Sequence, residues 1–298
     1  MRRFARSRFF TPVMVVLYLL LAGILFAVIG TRTKPEIEVL LIRWFSRFLW
    51  TNFLLVVIGV ALCRSDIVAA FRELFAASPG PIRTPRSLNW PGVYLLLILI
   101  TGLLLISLAA PQVRRIYYDE DIYANMGQNI AYTGQTRMAN YGTFEYSEYF
   151  VNWLLYNKDP SGRPFLIGLV FQLFGTDETY AFYLNNLLFA GGLLIVFFIT
   201  WIVAGGWFAG LIAALMYALI PHNLIWSNTI AAEKPAAFFE SLVVLCTLVW
   251  LQSREPRHLF LMVAILPLAG AMRTESVMSG ILGGEVNLQM TFPETALS

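Results

Sequence analysis

The sequence predicts an all-α fold, a polytopic bundle of transmembrane helices with a large outer loop that carries interfacial helices. Two observations support this prediction. Hydrophobic residues make up 58% of the 298 residues and charged residues only 13%, whereas soluble domains carry about 25% charged residues. Apolar runs of roughly 18 residues or more, long enough to cross a bilayer, recur along the chain.

Apolar runs in chain order define the predicted spans. The first follows a basic flank and lacks a convincing small-residue cleavage site, which favours a retained span over a signal peptide. A mixed-charge loop at 31–47 follows it, and residues 64–90 are predicted to form an amphipathic helix and then a proline-containing linker. The predicted spans are residues 11–30, 48–62, 91–110, 180–204, 207–220, 235–251 and 259–272.

The chain is predicted to have three parts. Residues 1–90 form an additional N-terminal hairpin and linker, and residues 91–279 form the transmembrane core. The core holds an outer loop at 111–175, whose last stretch, 163–175, is apolar but too short to cross and is predicted to be an interfacial helix. The tail at 280–298 does not resemble a continuing span, which suggests a truncation or a shifted reading frame.

The distribution of basic residues predicts the orientation. The N-terminal arginines place that end in the cytoplasm of a plasma (inner) membrane protein. Counting spans then brings three polar clusters to the extracytoplasmic face, at 119–121, 222–234 and 273–275. Ionisable residues at the ends of spans cost free energy unless they are used. The pattern predicts a shared outward-facing cavity, although polar caps on span ends are a simpler explanation.

The acid cluster at the start of the outer loop is the first candidate site. Asp119, Glu120 and Asp121 follow a span directly, and a carboxylate there can act as a general base. Acids in the first turn of a helix also arise from the helix dipole alone, and Asp119 could be such a cap. Basic side chains can hold a phosphate, so the pattern favours attack on a phosphate-linked group carried by a lipid.

Asp119 is the predicted catalytic base. The predicted substrate-binding residues are Glu120, Asp121, Tyr123, Lys158, Arg163, His222, Glu233, Lys234, Arg273 and Glu275. Structural alternatives stay open for several of them. Arg163 could extend to the headgroups, His222 could be a satisfied interfacial histidine, and Glu233–Lys234 and Arg273–Glu275 could be local ion pairs. Loop aromatics fit either an interfacial belt or stacking on a sugar.

Other site classes find little support. Cys63 and Cys246 fall in or beside apolar runs and are predicted to be small core residues. The sequence has no His/Cys metal motif, no phosphate-binding glycine loop and no nucleic-acid-binding module. Adjacent acids such as Asp119 and Asp121 could hold a divalent cation, and chemistry by a base alone is equally compatible.

Two motifs resemble those of a known family. Residues 119–124 read DEDIYA, and residues 163–166 read RPFL and lead to FQLFG at 171–175. Their order resembles the GT-C membrane glycosyltransferases, in particular the protein-mannosyltransferase and aminoarabinose-transferase branch, glycosyltransferase family 39-like. An acid at the start of a later span, here Glu233, is a further similarity. The resemblance covers residues 117–275.

The resemblance implies an inverting transfer of a sugar from a polyprenyl-phosphate donor, with Asp119 as the base. The acceptor would be a lipid, a glycan or a protein, and membrane lipids would surround the site. The sequence departs from the family where Arg163 replaces the usual lysine and Phe165 replaces the second proline, and where the core ends early.

A transporter or flippase for a lipid-linked or small solute is the alternative. Such a protein is expected to have ionisable residues near the middle of its spans and broken helices. In this sequence the polar groups lie mainly at one set of span ends, which favours chemistry at the membrane surface.

Overall fold

The computed structural model describes residues 30–75, 90–112, 119–139, 142–145, 148–151, 154–157, 159–273 and 275, with the isolated positions Leu20, Gly23 and Ala27. Apart from these isolated positions and Gly30, the predicted first span lies outside the described residues. The predicted linker at 76–89 and the tail at 280–298 also lie outside them.

Helices dominate the described part of the chain. They are α1 (Lys34–Leu62), α2 (Arg64–Phe75), α3 (Trp90–Ala109), α4 (Asp119–Thr133), α5 (Gly162–Phe174), α6 (Thr179–Ala204), α7 (Trp207–Leu219), α8 (Pro221–Ser227), α9 (Glu233–Ser253) and α10 (Pro256–Gly270). Four short strands lie between α4 and α5, namely β1 (Met138–Ala139), β2 (Gly142–Glu145), β3 (Glu148–Val151) and β4 (Leu154–Leu155).

Four of these helices, α1, α3, α6 and α9, are long and apolar enough to cross a membrane. Their length and composition support a membrane protein, and they agree with the predicted spans at 48–62, 91–110, 180–204 and 235–251. The predicted span at 207–220 differs, because α7 and α8 are bent by 63° and would cross only as one broken span. Helix α10 has 15 residues, about 22 Å at 1.5 Å per residue, so it is shorter than the hydrocarbon layer of about 30 Å.

The predicted loop at 31–47 is wrong for most of its length, since α1 already begins at Lys34. Glu36 accepts hydrogen bonds from the Thr33 backbone N–H at 2.8 Å and from its hydroxyl at 3.0 Å. Pro35 lies in the first turn, where its missing N–H costs nothing. This cap starts the helix 14 residues before the predicted span at 48–62, and the charged residues from Lys34 to Arg47 are exposed or partly exposed on the helix rather than in a loop.

The predicted outer loop contains β-structure, between Met138 and Leu155, that the all-α prediction lacked. Strand β2 pairs with β3 in antiparallel register, with Gly142 opposite Val151, and β1 pairs with β4 outside them. The result is one nested hairpin. The alternation of aromatic and polar residues in GTFEYSEYFV has the period of two that strands require, so the signal was present in the sequence.

The described helices pack around three apolar clusters. One joins mainly α1, α5, α9 and α10, the second joins α2, α3, α6 and α7, and the third joins α5, the start of α6 and Ile230. Helices α1 and α10 approach closely at Gly59, where a Cβ would lie 2.9 Å from Leu261 Cδ1, and buried Asn52 donates to the Ala264 carbonyl at 2.9 Å. Cys63 and Cys246 are buried and free, as predicted.

Helix α5 differs from the predicted interfacial helix at 163–175. Its residues 162–168 and Phe171 are buried, and large exposed side chains appear only at its end, at Leu173 and Phe174. The reason is close packing on α4, where a Cβ at Gly168 would lie 3.0 Å from the Gly127 carbonyl oxygen. Helix α5 is therefore covered by protein along most of its length.

Candidate functional site

A cavity of about 220 Å³ lies where α4, α5 and α9 begin and α10 ends. Its lining residues come from the three predicted polar clusters and from the turn before α5. They are Asp119, Glu120, Tyr123, Asp159, Pro160, Ala231, Ala232, Glu233, Met272, Arg273 and Glu275. The structure thus brings together residues that are more than 150 positions apart in the sequence, as the prediction of a shared cavity requires.

The cavity is acidic, with five lining carboxylates and one lining arginine. Asp119 and Glu120 begin α4, and Glu233 begins α9. The N-terminus of a helix carries a partial positive charge, and three such termini meet at the wall of this cavity. Their dipoles offset part of the repulsion between carboxylates at this site.

The acids in the first turn of α4 differ in their exposure. Asp119 is exposed and lines the cavity, whereas Glu120 is only 2% exposed. The Ile230 backbone N–H donates to the Glu120 Oε2 at 3.4 Å. Of these two acids, Asp119 is therefore the accessible one, and Glu120 is a buried part of the cavity wall.

Asp121 faces elsewhere. It lines a separate hollow with Asn125 and Glu178, because residues two apart on a helix point in different directions. Asp119 and Asp121 do not line one cavity, so the geometry does not support a cation held between them. Among the described residues, no group of three or more His, Cys, Asp or Glu side chains is arranged to hold a metal ion.

Tyr123 lies one turn after Asp119 on the same side of α4 and lines the cavity. Burial, and next the negative charge of Asp119, raise the pKa of Tyr123 to about 12. The phenol is therefore protonated at neutral pH and can donate a hydrogen bond into the cavity.

Arg273 is the cation that lines the cavity, and two carboxylates hold it. Its Nη1 lies 3.2 Å from Glu233 Oε1, and its Nε lies 3.4 Å from Glu275 Oε2. The predicted pairing of Arg273 with Glu275 is therefore present, and Glu233 pairs with Arg273 rather than with Lys234. Both pairs are partly exposed, so an incoming anion can compete for the guanidinium.

Arg163 is not in the cavity, although a contact with phosphate was predicted. Its side chain is 0% exposed. Its Nε donates to the Ile230 carbonyl at 3.0 Å and its Nη2 donates to the Ala181 carbonyl at 3.3 Å. Because α5 is inserted into the bundle, the guanidinium lies among main-chain carbonyls rather than at the membrane surface.

Two other predicted residues, His222 and Lys234, also lie away from the cavity lining. His222 is exposed and its Nε2 accepts a hydrogen bond from the Trp226 indole, as in the satisfied interfacial alternative. Lys234 is 2% exposed, and its Nζ donates to Asn223 Oδ1 at 2.9 Å. Lys158 lies outside the described residues.

Asp159 is a lining residue that the sequence reasoning missed. It lies in the turn before α5, where Asn157 Nδ2 donates to its Oδ2 at 3.1 Å. A single acid in a polar loop has no distinctive sequence pattern. The one feature that could have indicated Asp159 is its position, four residues before Arg163 of the RPFL motif.

Comparison of the chain with protein-family models, with curated proteins and with solved structures gives no match to any of them.

Proposed function

We propose that this chain is an integral-membrane inverting glycosyltransferase that moves a sugar from a polyprenyl-phosphate donor to an acceptor. The observation that carries the proposal is one cavity, at one end of the apolar helices, that holds an exposed carboxylate and an arginine. The family-like motifs at 119–124 and 163–175 add support, and the placement of the site on the extracytoplasmic side is part of the proposal.

The chemistry assigns one step to Asp119. Its carboxylate takes the proton from the acceptor hydroxyl as the acceptor oxygen attacks the anomeric carbon of the sugar. The bond between that carbon and the phosphate oxygen breaks, its electron pair stays on the phosphate, and the anomeric configuration inverts. Asp119 suits this role because it is exposed and lines the cavity, whereas the exposed Asp121 of the same turn lines a different hollow.

Arg273 stabilises the leaving phosphate in this mechanism. Its partners, Glu233 and Glu275, are half-exposed and exposed, and the phosphate takes the place of one of them. The three helix N-termini at the cavity add partial positive charge for the same anion. A cavity of about 220 Å³ suits the sugar phosphate head, and the polyprenyl chain stays in the bilayer.

The test uses membranes that contain the chain and a panel of polyprenyl-phosphate sugars, with free polyprenyl phosphate as the readout. Asp119→Asn is expected to lower release at least about 100-fold, since the base is lost. Asp121→Asn is the matched control, because it is exposed on the same turn but lines a different hollow. Full release from Asp119→Asn, or equal losses in both variants, would refute the assignment of the base.

A transporter or flippase is the second candidate, and the broken helix favours it. Helices α7 and α8 are bent by 63°, and Lys234 is a buried cation that has no salt bridge among the described residues. Broken helices with a buried charge are typical of substrate pathways. Flux of a lipid-linked sugar in vesicles, without release of polyprenyl phosphate, would favour this candidate.

A further inference from the structure

The connection between α8 and α9, residues 228–232, is buried although it is not helical. Its five residues are each 2–5% exposed. Non-helical backbone within a membrane bundle needs polar partners for its N–H and C=O groups, because neither lipid nor water supplies them there. Partners for this connection come from side chains of three surrounding helices.

Asn185 of α6 supplies one set of partners. Its side chain is 0% exposed, and its Nδ2 donates to the carbonyl of Thr229 at 2.6 Å and to that of Ala231 at 3.4 Å. Asn228, within the connection, donates to the carbonyl of Ala110 at the end of α3 at 2.6 Å. These bonds fix the two ends of the connection.

Arg163 and Glu120 hold its centre. The Arg163 Nε donates to the Ile230 carbonyl, and the Ile230 N–H donates to Glu120. A buried cation and a buried carboxylate therefore meet on the two backbone groups of one residue. The next three residues, Ala231 to Glu233, line the cavity.

We infer that Arg163 is a positioning residue, which with Glu120 fixes the α8–α9 connection and so sets the place of Glu233 in the cavity. The inference rests on the proposed function only for the role of the cavity. Arg163 itself does not touch a ligand, since it is fully buried and two of its nitrogens are bonded to main-chain carbonyls.

The charge of Arg163 also interacts with carboxylates that line the cavity. Glu120 and Glu233 are the carboxylates whose charges act on the guanidinium. The guanidinium therefore contributes both hydrogen bonds and charge, and variants can separate these contributions.

Hydrogen exchange measured by mass spectrometry tests the inference without any substrate. Arg163→Met removes the hydrogen bonds and the charge, whereas Arg163→Lys keeps the charge and loses the forked geometry. Asn52→Leu is the matched control, because Asn52 is also buried and bonded to one main-chain carbonyl, that of Ala264 in the middle of α10. The readout is the exchange of peptides that cover residues 228–234.

Arg163→Met is expected to speed exchange in these peptides at least about tenfold, the effect of losing a hydrogen bond to a charged donor. Arg163→Lys is expected to give an intermediate increase, and it carries the test if the Met variant does not fold. Asn52→Leu is expected to leave these peptides unchanged. Parent-like exchange in a folded Arg163 variant, or an equal increase in Asn52→Leu, would overturn the inference.

Sugar transfer provides the second measurement. Arg163→Lys is expected to lower kcat and to leave the KM for the donor unchanged, because Arg163 does not contact the donor. A raised KM in Arg163→Lys would overturn the positioning role. If the parent releases no polyprenyl phosphate, the proposed function fails and the exchange result still decides the inference.

Discussion

Gly162 offers a prediction whose size follows from interatomic distances alone. A Cβ at this position would lie 2.5 Å from the Ala271 carbonyl oxygen and 2.9 Å from the Met272 nitrogen. Ordinary contacts between nonbonded heavy atoms are about 3.5 Å. Because both neighbours are backbone atoms, the start of α5 and the end of α10 must separate by roughly 1 Å in Gly162→Ala.

Two costs add in this variant. Overpacking of this kind costs about 1–3 kcal/mol. The Gly162 N–H donates to the same carbonyl at 2.8 Å, and weakening this hydrogen bond costs about 1 kcal/mol. With an unfolding entropy of about 2.1 cal/mol/K per residue, the sum of about 2–4 kcal/mol corresponds to a fall of roughly 3–6 °C in the unfolding temperature for a chain of this size.

The assay is thermal unfolding of the purified chain in detergent, followed by intrinsic fluorescence. Gly206→Ala is the matched control, since Gly206 has an extended backbone with φ −149° and a Cβ there meets nothing within 4 Å. It is expected to unfold within about 1 °C of the parent. An equally small change for Gly162→Ala would show that α5 and α10 do not approach as closely as their backbones indicate.

Two further predictions concern residues near the cavity. Lys234→Met is expected to leave the unfolding temperature unchanged or to raise it, because a buried ammonium without a carboxylate partner is costly. This is expected even though the Lys234 ammonium lies 5.2 Å from the Phe189 ring centroid. A clear fall in the unfolding temperature would show that the contacts of Lys234 with Asn223 and the aromatic rings are net stabilising. Tyr123→Phe is expected to slow transfer about tenfold by removing one hydrogen bond and to leave both limbs of the pH–rate profile between pH 5 and 9 in place. The reason is that the pKa of Tyr123, raised by burial to about 12, keeps the phenol neutral across that range, so a shifted limb would contradict the assignment.

The sequence was sufficient for the features that depend on composition and local pattern. Apolar length predicted the four helices that are long enough to cross a membrane, and the polar clusters at span ends predicted that Asp119, Glu233 and Arg273 meet in one cavity. Helix geometry also argues against a cation site shared by Asp119 and Asp121. Asp119 and Asp121 are about 200° apart around a helix, so a shared site for both was unfavourable from the start.

Features that depend on how the helices assemble could not be predicted in the same way. The burial of Arg163 requires that α5 enter the bundle, and this follows from the close approach of Gly127 and Gly168 on two helices. A short apolar stretch with one arginine has the same sequence pattern at a membrane surface. Composition alone therefore does not distinguish the two placements.

Asn185 shows that a polar residue within an apolar span indicates more about the packing of the helices than the charged residues do. An amide within a span is expensive unless it has partners, and Asn185 has them in the α8–α9 connection. The connection is non-helical and buried only because such side chains satisfy its backbone. Glu233 follows this connection directly, so the polar residue inside α6 and the acid in the cavity are parts of one arrangement. A polar residue in the middle of an apolar run is thus a reason to expect irregular backbone packed beside it, and an active or binding site where that backbone ends.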